Sequence, residues 1–432
     1  MAEKFDTKLI HAGYSSDSNQ HSVAVPVYAT ASYEIVTPER GDRLRSGAEL
    51  GDLYSRLSNP TNSVLEARVA SLDGGVGAVA VASGMAAISG TIIAVTGGSG
   101  RILSTYEIYG GAFDLENDIF PQLGIEFDRV KHTADLDEWE ANVKEDTKAI
   151  YVESISNPKA RLLDIDGLAK IAHKHGIPLI VDNTVATPYL YRPLEHGADI
   201  VIYSATKGLN GHGNTIGGLV VEGKPFNWTA EKYPQFFKKH WVTRDLNNVE
   251  RSYIEAFPEF PFTVYFRTKI LAYLGATLSP YNTQLILVGL ETLSLRLDRT
   301  IANTRSILKY LEERKTGVKW VSYPEAEGSE YAALAKRDFP KGAGGILSFG
   351  FDGDEEKINK FLNAVKVFNL QANLGDAKSL IIHCPKITHG EMKPEELDQA
   401  DISQNTIRLS LGIEDPDDLI EDLEQAYKAA GY

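Results

Sequence analysis

A lysine set among small hydroxyl residues carries the clearest chemical signal in this chain of 432 residues. The segment YSATKG (203–208) follows directly after an apolar run that predicts a strand. A lysine that is desolvated where a strand leaves a sheet has a lowered pKa and can form a Schiff base with an aldehyde cofactor. Ser204 and Thr206 can donate their hydroxyls to a phosphate. Taken alone, the segment is equally compatible with Lys207 in a surface loop.

An acid at the end of an earlier strand strengthens the first interpretation. The apolar strand Pro178–Asp182 ends on a carboxylate and is followed by Asn183 and Thr184. Such a carboxylate can pair with the protonated ring nitrogen of pyridoxal phosphate (PLP), which keeps the ring cationic and able to accept electrons. The alternative is a helix N-cap. Because Lys207 follows the next strand in the same way, we favour the cofactor role for Asp182.

A strand-to-helix turn offers a third element of such a site. Ser83, Gly84 and Met85 lie in the turn ASGMA. Backbone N–H groups at a helix N-terminus bind phosphate without a basic side chain, and a glycine lets the anion approach closely. The turn matches neither the GxxxxGK[ST] phosphate loop nor the dinucleotide motif GxGxxG. By itself it is a weak signal.

Four further residues are of types that suit an anionic, planar ligand. Tyr54 and Arg56 offer a phenol and a guanidinium to a phosphate, and Tyr109 next to two glycines can stack on a ring. Arg408 stands among apolar neighbours and needs an anionic partner, either a substrate carboxylate or an acidic side chain. Alternatively, Arg56 is a solvated surface charge, and Tyr109 with its two glycines forms an ordinary turn.

Motifs of metal and serine hydrolases are missing from the sequence. His173 and His175 are two residues apart, and the chain contains neither HExxH nor GxSxG. We therefore expect no catalytic metal.

Short apolar runs alternate with helical patterns from about residue 75 to 220. Strands that are apolar on both sides and separated by helices predict a parallel sheet covered on both faces. Ligands of such sheets bind at the carboxyl ends of the strands, where the residues above lie. The predicted strands are Ala78–Ala82, Arg101–Ser104, Ala149–Glu153, Pro178–Asp182 and Asp199–Tyr203, with a helix at Asp164–His175.

The remaining chain predicts an arm before this region and an α+β domain after it. The predicted division is an N-terminal arm over 1–59, a PLP-binding α/β domain over 60–270 and a smaller C-terminal domain over 271–432. An aromatic insertion, Gly223–Glu259, has no role that the sequence reveals. The C-terminal elements are a long helix Ile286–Glu313, strands Gly345–Phe351, Leu380–His383 and Thr406–Leu411, and helices Asp354–Val367 and Asp415–Ala430.

Composition excludes several classes of protein. With 44 basic and 59 acidic residues the net charge is −15, so the chain lacks the basic field of a nucleic-acid binder. The single cysteine, Cys384, permits no internal disulfide and suits a reducing cytoplasm. Residues 74–100 carry no charge, but their Ala, Gly and Ser content predicts a strand, a turn and a buried helix and not a membrane span. The N-terminus has no run typical of a signal peptide.

Together these motifs resemble the fold-type I PLP enzymes of cysteine and methionine metabolism, the trans-sulfuration group. The resemblance covers almost the whole chain, and within the group the O-acetylhomoserine sulfhydrylase branch is the most similar. The motifs that carry it, in chain order, are TKLIHAG, YSRLSNPT, ASGMAA, YGG, ESISNP, VDNT, SATK, LSPYNTQLILVGLETLSLR, NLGDAKSL and IRLSLGIED.

The resemblance implies roles for individual residues of a PLP site. Lys207 would be the Schiff-base lysine, Asp182 the partner of the ring nitrogen, and Tyr109 a ring-stacking residue that assists proton transfer. Asn157 would contact the phenolic oxygen of the ring. The phosphate would be held by Ser83, Gly84, Met85, Ser204 and Thr206, with Tyr54 and Arg56 of a neighbouring subunit.

The resemblance also implies a substrate and an assembly. Arg408 would bind the substrate carboxylate, with Ser379 and Asn157 beside it. The activity implied is γ-replacement on O-acetyl-L-homoserine by sulfide, giving L-homocysteine and acetate; cystathionine γ-synthase, a γ/β-lyase of the same family or a non-catalytic scaffold are the alternatives. Sites shared between subunits imply a homo-oligomer, at least a dimer and in the expected form a homotetramer.

Two departures from the family pattern concern the pocket. Methionine γ-lyases carry a cysteine where this chain has Gly111, which argues against that activity. The family's usual HPAS-type segment reads HCPKI here, over residues 383–387, and includes Cys384.

Overall fold

The structure is a computed structural model that describes residues 3–49, 51–390 and 392–432. It contains two sheets, and the larger one has seven strands. In chain order the strands are β1 Gly77–Val81, β2 Gly100–Thr105, β3 Ile125–Val130, β4 Thr147–Glu153, β5 Leu179–Asp182, β6 Ile200–Ser204 and β7 Gly218–Glu222. Across the sheet their order is β1-β7-β6-β5-β4-β2-β3. β7 is antiparallel to β1 and β6, and the other neighbouring pairs are parallel. The predicted mostly parallel α/β sheet is confirmed.

Both faces of this sheet are buried, as the apolar strands predict. Along β4, Ile150 and Val152 belong to one hydrophobic core, whereas Ala149 and Tyr151 belong to a second core on the opposite face. The alternation follows from the geometry of a strand, in which successive side chains point to opposite faces. Two covered faces leave the ends of the strands as the place where polar side chains can meet a ligand.

The helices that cover the sheet begin, in many cases, at a side chain that caps them. Asn59, Ser83 and Asp164 each accept a backbone N–H of the first turn of the helix that follows. The α-helices are α1 Phe5–His11, α2 Pro38–Ser46, α3 Pro60–Asp73, α4 Gly84–Thr96, α5 Gly110–Asp114, α6 Phe120–Gln122, α7 Leu136–Asn142, α8 Ile165–Lys174, α9 Thr187–Leu190, α10 Pro234–Phe237, α11 Tyr253–Ala256, α12 Pro261–Tyr265, α13 Ala272–Leu274, α14 Pro280–Glu291, α15 Leu293–Glu313, α16 Ala332–Asp338, α17 Glu355–Ala364, α18 Pro394–Gln399 and α19 Pro416–Ala429.

A second, smaller sheet follows in the C-terminal third of the chain. Its strands are β8 Val318–Ser322, β9 Ile346–Phe351, β10 Asn369–Leu370, β11 Leu380–His383 and β12 Thr406–Ser410. They lie in the order β10-β11-β12-β9-β8, and all pairs except β10-β11 are antiparallel. The three strands predicted here are confirmed within one residue at each end. β12 is central, so Arg408 lies in the middle of this sheet.

Two strands of the large sheet escaped prediction. β3 alternates apolar and charged residues at the sheet edge, where only Ile125 and Val130 are fully buried. β7 is fully buried, but it follows β6 through a turn region without an intervening helix, which is why it returns antiparallel. β3 therefore lacks the continuous apolar run, and β7 lacks the helix-strand alternation, on which the prediction depends.

The predicted long helix Ile286–Glu313 is wrong as a single element. It is interrupted at Thr292, whose φ of −111° and ψ of 13° are not helical, between α14 and α15. The guanidinium of Arg296 donates to the carbonyl of Gly289 at 2.7 Å and to that of Gly208 at 2.9 Å. These bonds fix the end of α14 against the loop that follows Lys207.

The predicted domain limits of 1–59, 60–270 and 271–432 stay predictions. The arm contains the helices α1 and α2, and Leu9 of α1 is buried in the same core as Val64 and Leu65 of α3. In the insertion, Trp228 packs against Tyr233 and Phe236 with ring centroids 4.8 Å and 4.5 Å away. The uncharged run 74–100 folds as β1, a turn and α4, as predicted, and within the described ranges no helix is both long and apolar enough to cross a membrane.

Candidate active site

A cavity of about 280 Å³ lies at the carboxyl ends of the central strands. Glu153, Asp182 and Ser204 are the last residues of β4, β5 and β6, and all three line it. Ten predicted site residues come together here: Ser83, Gly84, Met85, Tyr109, Asn157, Asp182, Ser204, Thr206, Lys207 and Arg408. The cavity therefore lies where the sequence predicts a ligand site, at the carboxyl ends of the parallel strands.

One end of the cavity is built to receive an anion. Ser83 caps α4 by accepting the N–H of Ala86 at 3.1 Å, and the first N–H groups of a helix have no partner within the helix. Gly84 packs directly on Ser204: a Cβ at position 84 would lie 2.7 Å from the Ser204 Cβ. Only a glycine permits this approach, which places the helix N-terminus beside the hydroxyl of Ser204.

Lys207 reaches the cavity from the turn after β6. Its ammonium donates to Asn373 Oδ1 at 2.6 Å. Burial, and to a smaller extent the charge of Arg408, lowers the pKa of Lys207 to about 8. About a tenth of the amine is therefore neutral, and thus nucleophilic, at pH 7, far more than for a lysine of ordinary pKa.

Asp182 stands on the neighbouring strand with little access to solvent. Its Oδ1 accepts the N–H of Thr184 at 2.9 Å. Burial raises the pKa of Asp182 to about 6, against the lowering effect of the Thr184 hydrogen bonds. A cationic ring nitrogen would offset the cost of burying this charge, so the site suits a positively charged partner.

Arg408 is buried and is held by groups that leave its charge uncompensated. Its Nη1 donates to Asn157 Oδ1 at 2.6 Å and its Nη2 to the Asn373 carbonyl at 2.7 Å, while Nε has no partner. Among the described residues no carboxylate lies within ion-pair distance of Arg408. Of the two partners that the sequence left open, the acidic side chain is thus not found.

Tyr109 precedes α5 at the cavity wall. Its ring packs over Gly111, where an added Cβ would lie 2.7 Å from Cε1 of the ring. A cysteine at position 111 would displace this ring. A Cβ at Gly110 would clash with the carbonyl oxygen of Thr388, which lines the cavity directly after the divergent segment 383–387.

Three predicted residues lie outside the lining of this cavity. Tyr54 and Arg56 are exposed, with the guanidinium 5.4 Å from the tyrosine ring centroid. Ser379 is buried elsewhere, where its Oγ donates to Glu414 Oε2 at 2.8 Å and accepts the N–H of Gly412 at 2.9 Å. A role for Ser379 at the substrate would require this pairing with Glu414 to change.

Sequence reasoning missed several residues that line the cavity, of which Glu153, Thr184, Asn373 and Thr388 are polar. Glu153 could have been found, because it ends a predicted strand as Asp182 does. Asn373 and Thr388 lie in loops of the C-terminal region. Their approach to Lys207 and Gly110 depends on how the two sheets pack, for which no local signal exists.

Comparison with known proteins agrees with this geometry. The family model described as Cys/Met metabolism PLP-dependent enzyme matches residues 6–428. The chain belongs to this family. The family predicted from the motifs, and its dependence on PLP, are confirmed.

Individual members of the family are similar over their full length. Sulfhydrylase FUB7 of Gibberella moniliformis is 42% identical over 99% of this chain and 98% of its own. Homocysteine synthase of Schizosaccharomyces pombe is 39% identical over 99% of both chains. A crystal structure of a putative O-acetylhomoserine (thiol)-lyase of Campylobacter jejuni, which carries a pyridoxyl-lysine monophosphate, superposes with a TM-score of 0.92 at 37% identity over 99% of this chain and 100% of that one. The predicted fold-type I class is confirmed.

The donor set of the cavity fits PLP. The neutral amine of Lys207 suits an aldehyde, the buried carboxylate of Asp182 suits a ring nitrogen that carries a proton, and the N-terminus of α4 with Ser204 and Thr206 suits a phosphate. Because Gly84 has no side chain, the space between the N-terminus of α4 and Ser204 stays open to this phosphate.

The lowered pKa of Lys207 makes capture of PLP depend on pH in a defined way. Only the neutral amine attacks an aldehyde, so in protein freed of PLP the rate constant should rise about tenfold per pH unit below pH 8 and level off above it. Stopped-flow absorbance after mixing with PLP measures this rate. A rate that still climbs steeply between about pH 9 and pH 10 would show that the amine has an ordinary pKa.

Proposed function

We propose that this member of the family catalyses γ-replacement on O-acetyl-L-homoserine with sulfide, forming L-homocysteine and acetate. The names of full-length relatives support this activity. The structural observation that carries it is the buried guanidinium of Arg408, which faces the same cavity as Lys207 and has no acidic side chain to neutralise it among the described residues. An α-amino acid supplies the missing carboxylate.

The residues of the cavity have different roles in this reaction. PLP, when bound, supplies an electron sink for the charge that develops at the α-carbon. Arg408 orients the substrate carboxylate, Asp182 accepts the hydrogen bond of the ring nitrogen, and neutral Lys207 is placed to take a proton from the α-carbon. Tyr109, at the cavity wall, is the second candidate for proton transfer.

The overall bond changes are simple. The γ C–O bond of the substrate breaks and acetate leaves with the bonding electrons. Sulfide then donates the electron pair of the new γ C–S bond. The apolar part of the wall, which includes Ile88, Ile155 and Val185, can accommodate the substrate side chain and keep water from competing with sulfide.

A steady-state comparison of donors and acceptors tests this proposal. O-Acetyl- and O-succinyl-homoserine are each supplied with sulfide, cysteine or water alone, and the products are quantified. We expect homocysteine from the acetyl ester and sulfide to form fastest. Faster formation of cystathionine from cysteine would identify a cystathionine γ-synthase, and release of ammonia with water would identify a lyase.

We also propose that two chains share their sites, in at least a dimer and in the expected form a tetramer. Tyr281, Leu285, Val288 and Leu295 form an exposed apolar stripe on α14 and α15. The stripe begins next to the cavity, since Asn282 donates to the carbonyl of the exposed, cavity-lining Ile216 at 3.1 Å. A second copy seated there would cover the stripe and bring its own Tyr54 and Arg56 within reach of a phosphate in the cavity of the first copy.

The lone cysteine, Cys384, further supports a cytoplasmic location.

Mixing two inactive variants tests the sharing of sites. Arg56→Ala and Lys207→Ala chains are each expected to have little activity alone. If Arg56 serves the neighbouring site, unfolding and refolding them together gives hybrids in which one site has both residues, and activity returns. Without sharing, no hybrid site contains both residues and the mixture stays inactive.

A further inference from the structure

The cavity is also lined by a buried carboxylate that none of the roles above uses. Glu153 ends β4, is 5% exposed, and is paired in register with Asp182 on β5. Its Oε1 accepts the N–H of Tyr109 at 2.7 Å, and its Oε2 accepts the N–H of Asn157 at 3.2 Å. One side chain therefore holds two residues that belong to different loops.

We propose that Glu153 is the positioning residue of the cofactor site, which fixes Tyr109 and Asn157 to the strand next to Asp182. β2 and β4 are paired only over residues 101–103 and 147–150, so Tyr109 and Asn157 lie beyond their backbone pairing. The two oxygens of one carboxylate connect them, and Asn157 in turn accepts Arg408 Nη1 at 2.6 Å. The ring-contacting residues and the substrate-binding arginine thereby form one connected unit.

The surroundings of Glu153 fit this role better than a catalytic one. Both of its oxygens accept backbone N–H groups, so the carboxylate is anchored to the protein backbone. Burial, and next the charge of Asp182, raises the pKa of Glu153 well above its ordinary value. The hydrogen bonds from Tyr109 and Asn157 favour the ionised form and act against this shift.

The chain provides a matched control for this carboxylate. Glu222 ends β7, is 2% exposed, and also accepts two backbone N–H groups, from Phe262 at 3.2 Å and Thr263 at 2.7 Å. Burial raises its pKa as well, to about 7. Glu222 does not line the cavity, so it shares the structural role of Glu153 without the proposed role in the site.

The test compares Glu153→Gln and Glu153→Ala with Glu222→Gln and Glu222→Ala as PLP-loaded proteins. Glutamine keeps one acceptor oxygen but sets an amide NH₂ against the other backbone donor. The dissociation constant of PLP, the near-ultraviolet and visible circular dichroism of the bound cofactor, and the melting temperature are measured without any amino acid. The proposal rests on the PLP site of the proposed function, but these readouts do not depend on which substrate the enzyme uses.

We expect both pairs of variants to lose thermal stability, while only the Glu153 variants bind PLP at least about tenfold more weakly and change its circular dichroism. The alanine variant should be affected more than glutamine. Glu153→Gln with a PLP affinity within about twofold of wild type and an unchanged spectrum would overturn the proposal, as would equal changes in the Glu222 variants. Where Glu153→Ala does not fold, the nearly isosteric glutamine variant decides alone.

Discussion

Replacing Lys207 by alanine is expected to lower the rate of homocysteine formation by at least about a thousandfold. Lys207 is the only lysine in the described lining of the cavity, and its partly buried amine has a pKa of about 8. No other group there combines a nucleophilic nitrogen with the basicity to take a proton near neutral pH. The loss should appear in kcat, because Arg408 would still bind the carboxylate.

The matched control for this variant is Lys232→Ala. Lys232 also has a pKa lowered by burial, but it lies in the insertion and donates to the carbonyl of His175 at 2.7 Å. Its replacement should leave kcat unchanged. Partial recovery of the Lys207→Ala variant by added methylamine would show that the missing function is that of an amine. A Lys207→Ala protein that turns over at near the wild-type rate would refute the mechanism.

The parts of the site that were predictable from the sequence all lie where local rules apply. Asp182 and Ser204 end apolar strands and Lys207 follows one. Gly84 lies in a strand-to-helix turn, so each of the four could be placed without knowledge of the fold. Glu153 obeys the same rule and was overlooked, since a carboxylate that binds backbone groups has no motif of its own. The resemblance to a family added Asn157, for which spacing alone gave no indication.

The contributions that could not be predicted come from contacts between distant segments. Asn373 meets Lys207 across 166 positions of sequence, and Ser379 turns to Glu414 and not to the cavity, because the packing of β11 against β12 sets the course of these loops. The same holds for the interruption at Thr292, which depends on the bonds from Arg296 to Gly289 and Gly208. Long-range packing, and not local propensity, decides these features.

Replacing Arg408 has the second largest expected effect. Removing one partner of a buried, hydrogen-bonded charge pair costs about 2–5 kcal/mol, so Arg408→Ala should lower kcat/KM by at least about thirtyfold. Arg408→Lys should recover only part of this, because a lysine is a point charge and cannot reproduce donors fixed by Asn157 and Asn373. Arg68→Lys is the control, since Arg68 is equally buried and also has an unpartnered guanidinium nitrogen, but lies in α3.

A change in the substrate separates carboxylate binding from a general loss of structure. Replacing the carboxylate of O-acetylhomoserine by a carboxamide should lower kcat/KM of the wild-type enzyme. The decrease should be about as large as the one that Arg408→Ala causes with the unmodified substrate. The Arg408→Ala enzyme should barely distinguish acid from amide, because the group that reads the charge is gone. If it still prefers the acid by the wild-type margin, another residue binds the carboxylate.

Loss of the Arg408 charge also removes one cause of the lowered pKa of Lys207, so the pH at which PLP capture levels off should rise in this variant.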